Sequence, residues 1–223
     1  MRIAGIYTPL VSQSAGDSQR PIGPYERRPV SVQPWDPAVV EVAARVVAII
    51  ATRRPELNVE HIGSTAVPGL PGKGIVDLGT HADPAEIPAI VDALYGLGFG
   101  PQPGPNPWPA TRPMPVGSIV HDGVEYRIHM HIHPTGTDDL AKDLRFRDAL
   151  RADPALRDGY ALVKNQIAGP DGIAPDRLRY QAQKGDWILE AFDRLGIPRP
   201  ANTQFAQPEP GARASDRHTG GTG

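Results

Sequence analysis

The chain has 223 residues, of which 39% are hydrophobic and 22% charged, enough for one core of ordinary size. A formal net charge of −2 provides no general field that would attract nucleic acid or an anionic membrane. The absence of cysteine excludes disulfides, thiolate catalysis and cysteine-based metal sites, and no apolar run is long enough for a membrane span, so we expect a soluble cytoplasmic protein.

The two ends of the chain differ in composition from its middle. Residues 1–29 combine Pro, Gly, Ser and Arg without periodicity, which predicts a flexible N-terminal segment. Residues 198–223 are dominated by Pro, Gly, Ala, Thr and Gln, which predicts a disordered C-terminal tail. The composition therefore assigns the folded domain to residues 30–197.

The first half of the domain alternates predicted strands and helices. Residues 30–32 alternate between apolar and polar side chains, which predicts a short strand. An Asp-Pro pair then begins a predicted helix over 39–52, whose apolar residues recur at helical spacing. Short strands are predicted over 58–62 and 74–78, separated by a Pro/Gly-rich turn. A second amphipathic helix follows over 83–98.

The second half contains a hairpin and three helices. Residues 118–133 alternate in polarity on both sides of an Asp-Gly pair, the signature of a β-hairpin turn. Helical periodicity then covers residues 137–152, 154–167 and 175–195. We predict an α/β (α+β) fold with a mixed β-sheet flanked by helices and a helical C-terminal portion.

The first candidate site is the turn between the strands at 58–62 and 74–78. Gly63 allows the backbone to approach a ligand, while Ser64 and Thr65 add hydroxyl groups beside backbone amides that could bind a phosphate. Asp77 ends an apolar strand, where a carboxylate is usually retained for a partner such as Mg²⁺. The alternative is an ordinary glycine-rich turn and a capping aspartate.

The second candidate site is a strand of alternating polarity. Arg127, His129, His131 and His133 share one face of it, and apolar residues occupy the other. If the polar face lines a cleft, the arginine could pair with a phosphate and the imidazoles could bind metal or transfer protons. The alternative is a strand that shows its polar face to water.

A third set of basic and aromatic residues lies on the predicted late helices. Arg145 and Tyr180 of this set could close over a nucleotide or another anion, and the alternative is a solvated helix face. The set comprises Lys142, Arg145, Arg147, Tyr160, Lys164, Tyr180 and Lys184.

These motifs together resemble the GrpB family, also called UPF0157, over roughly residues 30–195. The central match is the stretch from Val59 to Leu70 followed by Lys73 and the strand end at Asp77. Further matching motifs are Pro34-Trp35-Asp36-Pro37, Arg127-Ile128-His129-Met130-His131, Phe146-Arg147-Asp148-Ala149-Leu150-Arg151, and Tyr180 with Lys184-Gly185.

The resemblance implies a nucleotidyltransferase-like fold, because GrpB proteins are placed in that superfamily. Its members use a Gly-Ser turn and strand carboxylates to hold Mg²⁺ and a nucleoside triphosphate. Together with the residue patterns above, this predicts that Asp77, His129 and His131 are catalytic and metal-binding. Substrate binding is predicted for Gly63, Ser64, Thr65, Lys73, Arg127, Arg145, Tyr180 and Lys184. The superfamily pattern pairs two strand acids, whereas this chain has Gly79 at the second position.

Three functions follow as hypotheses. The first is transfer of a nucleotidyl group from a nucleoside triphosphate to a small-molecule or protein acceptor, with Mg²⁺ or another divalent metal such as Mn²⁺ or Zn²⁺. The second is a nucleotide- or anion-binding module without turnover, and the third is a histidine-rich metal-dependent hydrolase. A nucleic acid partner is less favoured because the charge balance is near neutral.

Overall fold

The computed structural model describes residues 20–104 and 107–199. Residues 1–19 and 200–223, which include most of the predicted flexible segment and nearly all of the predicted tail, lie outside the described residues. In chain order the elements are β1 (Val30–Ser31), α1 (Ala38–Ala51), β2 (Glu60–Ile62), β3 (Ile75–Ala82), α2 (Ile87–Leu97), β4 (Val116–His121), β5 (Val124–Pro134), α3 (Asp139–Ala152), α4 (Pro154–Ala168), β6 (Ile173–Ala174) and α5 (Arg177–Leu195).

The main sheet has the strand order β2-β3-β5-β4. β3 and β5 are parallel, while β2 pairs with β3 and β4 pairs with β5 in antiparallel fashion. The predicted hairpin is confirmed: Asp122 and Gly123 have φ values of 49° and 77°, the left-handed conformations that a two-residue turn needs. The mixed sheet, its flanking helices and the helical C-terminal portion confirm the predicted fold class.

One face of the sheet is covered by α1 and α2. The apolar side chains of β5 point to this face and pack with the buried faces of both helices in the main core. Alternation along β3 and β5 therefore sends the polar side chains of both strands to the opposite face. On that side α3, α4 and α5 enclose a second core, formed by Val67, Leu70, Leu150, Tyr160, Ile188, Phe192 and Ile197.

The folded part of the chain includes residues ahead of the predicted start at residue 30. Ile22 is 2% exposed and packs in the main core, and its amide donates to the carbonyl of Leu97 at 3.1 Å. Gly23 forms a bridge with Ser118 on β4. A single apolar residue within a Pro- and Arg-rich segment leaves no periodic signal in the sequence.

Element ends differ from the predicted ones by a few residues. β3 continues four residues beyond the predicted end at 78, and α3 and α5 each begin two residues later than predicted. The two-residue strand β6 was not predicted and pairs with β1 in a separate two-stranded sheet. Among the helices of the described ranges, none has both the length and the apolarity that crossing a bilayer requires.

Candidate active site

A cleft of about 310 Å³ opens between the polar face of β3 and β5 and the helices α3 and α5. Its walls include the turn at Gly63 and Ser64, together with Tyr25 and Trp108. Both predicted candidate sites contribute to it, because the turn leads into β3 and the histidines lie on the adjacent strand. The cleft is large enough for a small ligand.

Asp77, His129 and His131 form a compact triad in this cleft. β3 and β5 pair so that Asp77 lies opposite His129, and Gly79 opposite His131. Asp77 Oδ1 is 3.1 Å from His129 Nδ1 and 3.4 Å from His131 Nε2. One potential ligand atom from each residue lies within 4.8 Å of the others, as one metal ion requires.

The ionisation of the triad also suits a metal ion. Burial acts to raise the pKa of Asp77, but the hydrogen bonds with His129 and His131 outweigh it and hold that pKa well below its usual range. Burial lowers the pKa of His129, an effect that Asp77 only partly offsets. An ionised carboxylate beside a neutral imidazole is the form in which these side chains bind metal. Two imidazoles and one carboxylate fit Zn²⁺ or Mn²⁺ better than Mg²⁺, which prefers oxygen ligands.

Aromatic side chains from outside the matched motifs support the triad. The Tyr25 hydroxyl is 3.1 Å from His129 Nε2, so it can orient this imidazole while Nδ1 faces Asp77. Trp108 meets the ring of His131 edge-on, with ring centroids 5.5 Å apart. Sequence reasoning missed both residues, since one lies in the segment predicted to be flexible and the other in a Pro-rich loop without periodicity.

The turn after β2 brings its backbone against the triad. Gly63 has φ 72°, and a Cβ at this position would lie 2.6 Å from Asp77 Oδ2. Ser64 begins a single 3₁₀ turn and lines the cleft. Thr65 also lines the cleft, but its hydroxyl donates to the carbonyl of Ile75 at 3.0 Å. The turn therefore leaves Ser64 as the hydroxyl better placed to meet a ligand.

Three lysines on this side of the site, Lys73, Lys164 and Lys184, are close enough to repel one another. Lys164 is 1% exposed, and its ammonium lies 3.4 Å from Ser64 Oγ, donates to the carbonyl of Pro71 and stands 4.3 Å above the ring of Tyr160. Burial, followed by repulsion from Lys184 and Lys73, lowers the pKa of Lys164 to about 6.

Lys73 and Lys184 line the cleft itself. Burial, followed by repulsion from Lys184, lowers the pKa of Lys73 to about 8. Mutual repulsion between amines marks a concentration of positive charge that a bound anion would relieve.

Three residues predicted to bind substrate do not line the cleft. Arg127 donates to the carbonyl of Lys73 at 2.9 Å and so holds the backbone that leads into β3. Arg145 reaches backbone carbonyls at the end of α5. Tyr180 is 1% exposed and packs against the small β1–β6 sheet. The residue types suit anion binding, but the fold uses these three side chains for internal contacts.

Comparison with known proteins gives one family. The GrpB family model, described as "GrpB protein", matches residues 29–194. A UPF0157 protein of Pseudomonas aeruginosa is 36% identical over 169 residues, covering 74% of this chain and 67% of that protein. A UPF0157 protein of Halalkalibacterium halodurans is 34% identical over 135 residues, covering 60% of this chain and 65% of that protein, just under two thirds of its length.

A solved structure has the same fold. The crystal structure of conserved protein GrpB from Enterococcus faecalis superposes with a TM-score of 0.55 at 24% identity, covering 73% of this chain and 98% of that one. The similarity extends over nearly the whole of that protein. At 24% identity the similarity concerns the fold.

Proposed function

The chain belongs to the GrpB family, and on that basis we propose that its cleft binds a nucleoside triphosphate with a divalent metal ion and transfers the nucleotidyl group to a small-molecule or protein acceptor. The observation that carries this proposal is that a triad suited to a metal ion opens into the same cleft as Lys73 and Lys184. A triphosphate needs both, because its charge is spread over several oxygens.

The lysine side of the cleft supplies the contacts for the phosphates. Lys73 and Lys184 provide positive charge, and the Ser64 hydroxyl and neighbouring amides provide hydrogen-bond donors. Lys164 lies behind Ser64, where its contact positions the hydroxyl. Binding of an anion would raise the pKa values of Lys73 and Lys164, so we expect ligand binding to be accompanied by proton uptake near neutral pH.

The triad supplies the ligands for the metal. Asp77, His129 and His131 would hold the ion, and Tyr25 would orient His129. A divalent ion bound there would neutralise negative charge on the phosphate oxygens. In the transfer, an acceptor hydroxyl forms a bond to the α-phosphorus, the bond to the β-phosphate breaks, pyrophosphate leaves, and the proton of the acceptor passes to solvent in the open cleft.

A metal-dependent hydrolase is the second candidate. It is favoured by the donor set, since two imidazoles and one carboxylate are typical of a catalytic zinc site with an open position. In that case water would take the place of the acceptor. Release of orthophosphate or of nucleoside monophosphate, without a modified acceptor, would distinguish it from a transferase.

Isothermal titration separates the two halves of the site. We expect Asp77→Asn to abolish Mn²⁺ binding at the triad, and Lys73→Met to leave Mn²⁺ binding intact while weakening ATP binding about tenfold or more. The matched control is Arg194→Met, which removes a charge from the exposed surface of α5 and should change neither titration. ATP binding that is unaffected by both cleft variants would sink the proposal.

A further inference from the structure

The position expected to carry a second strand acid is closely packed by neighbouring side chains. A Cβ on Gly79 would lie 2.7 Å from Leu140 Cδ1 and 3.0 Å from Ile62 Cδ1. Helix α3 therefore packs directly over β3 at this point. Any second anionic group in the cleft has to come from another element.

Helix α3 brings such a group into the cleft within one turn. Asp143 follows Leu140 by three residues, the spacing of neighbours on one helix face, and it lines the cleft beside the histidine strand. Its Oδ2 is 3.7 Å from Nε2 of His133.

His133 is a buried polar side chain without a hydrogen-bond partner. Its side chain is 2% exposed, and neither ring nitrogen has a hydrogen-bond partner among the residues that the structure describes. Buried imidazoles are normally satisfied by a protein group or another ligand. The ring of His133 stacks on that of His131, with centroids 6.2 Å apart, so it extends the row of histidines inward from the triad.

The spacing of His133 and Asp143 matches two ligands of one metal ion. At 3.7 Å the two atoms are too far apart for a hydrogen bond. Two metal–ligand bonds of roughly 2.1 Å, meeting at an angle between tetrahedral and trigonal, separate their donor atoms by roughly 3.4–3.6 Å. A small adjustment of the Asp143 side chain, which is 44% exposed, would bring the pair to this distance.

We propose that His133 and Asp143 form a second divalent-metal position beside the triad, so that the cleft holds two ions. The remaining coordination positions would be taken by water or by ligand oxygens. Arg112 lies on the same side of the cleft, but Asp139 pairs with it at 2.5 Å and offsets its charge. This inference rests on the proposed function, because the second ion would face the same phosphates and act with the first on their charge.

Metal stoichiometry tests the inference on the full chain. Equilibrium dialysis against Mn²⁺, followed by elemental analysis, should give two ions per wild-type chain. Asp143→Asn and His133→Ala should each keep one ion, the one at the triad. Asp77→Asn should also keep one ion, the one at His133 and Asp143. The controls Asp158→Asn on the exposed surface of α4 and His121→Ala at the hairpin turn should keep two.

The outcomes separate this inference from the proposed function. One ion in the wild type, lost in Asp77→Asn and kept in Asp143→Asn, would overturn the second position and leave the triad in place. Two ions in both the wild type and Asp143→Asn would also overturn it. No bound ion in the wild type would contradict both proposals. Because Asp143 is partly exposed, we expect Asp143→Asn to fold. This variant therefore tests the second metal position even if His133→Ala fails to fold.

Discussion

Burial makes the Lys164 amine much less basic than a lysine amine in water. Its ammonium is enclosed by the turn after β2 and by the ring of Tyr160, and two further lysines are close enough to repel it. The pKa therefore falls from 10.5 to about 6. Holding this group in the core costs stability whenever the unfolded chain would be protonated.

Replacing this lysine should produce a pH-dependent gain in stability. Between pH 6 and pH 10.5 the unfolded wild type binds one more proton at Lys164 than the folded wild type does, so its free energy of unfolding rises with pH by up to about 1.4 kcal/mol per unit. Lys164→Met lacks this term. We expect the variant to be more stable than wild type at pH 7, with the difference shrinking toward pH 10.

Urea denaturation at pH 7, 8 and 9 measures this effect. The exposed Arg194→Met should run parallel to wild type at all three values. A stability difference between Lys164→Met and wild type that stays constant with pH would show that the buried amine is not the cause.

Gly63 and Gly69 form a matched pair for the turn. Both have positive φ, 72° and 77°, but a Cβ on Gly63 would strike Asp77, while one on Gly69 would meet no atom within 4 Å. Each substitution to alanine should destabilise the fold, because a positive φ costs a residue with a Cβ about 1–3 kcal/mol. Only Gly63→Ala should also weaken Mn²⁺ binding, because it displaces the Asp77 carboxylate. Chemical denaturation with Mn²⁺ titration checks both, and equal Mn²⁺ affinity in the two variants would contradict the geometry.

At the scale of elements, the site depends on the parallel pairing of β3 and β5. Alternation in the sequence indicates which side chains of each strand share a face, but it does not indicate which strands are neighbours or in what register. The observed register places Asp77 opposite His129. The contribution of α3, which packs over Gly79 and presents Asp143, is a tertiary contact with no local signal.

This packing predicts the effect of restoring the superfamily's paired acids. Gly79→Asp would force a carboxylate against Leu140 and Ile62, so we expect overpacking and an unpaired buried charge to destabilise the protein by about 3 kcal/mol or more. Thermal denaturation measures the loss. A Gly79→Asp variant that is as stable as wild type and binds metal more tightly would show that β3 tolerates a second acid.

At the scale of the molecule, the cleft lies where two cores meet. The main core joins the sheet to α1 and α2, the second core joins α3, α4 and α5, and the polar face of the sheet separates them. Although the net charge is only −2, lysines concentrate in this cleft. The positive charge is therefore local, which suits a small anion better than a long nucleic acid.

The sequence was informative wherever a pattern repeats along one segment. Helical periodicity located the helices to within a few residues, and the alternation around His129 and His131 identified the polar strand face. The roles of Tyr25, Trp108 and Asp143 could not be predicted, because each reaches the cleft through a contact between distant segments. For the same reason the sequence does not indicate the internal contacts that Arg127, Arg145 and Tyr180 make.

The most direct test of the central claim is a thermal-shift comparison of wild type with Asp77→Asn. ATP, GTP, CTP and UTP would each be added with Mg²⁺, Mn²⁺, Zn²⁺ or EDTA, because a ligand that binds only the folded state raises the Tm. We expect at least one triphosphate to raise the Tm of the wild type in the presence of metal and not with EDTA, and Asp77→Asn to lose this shift. The absence of any triphosphate-dependent shift, or an equal shift in Asp77→Asn, would contradict a metal–nucleotide site in this cleft.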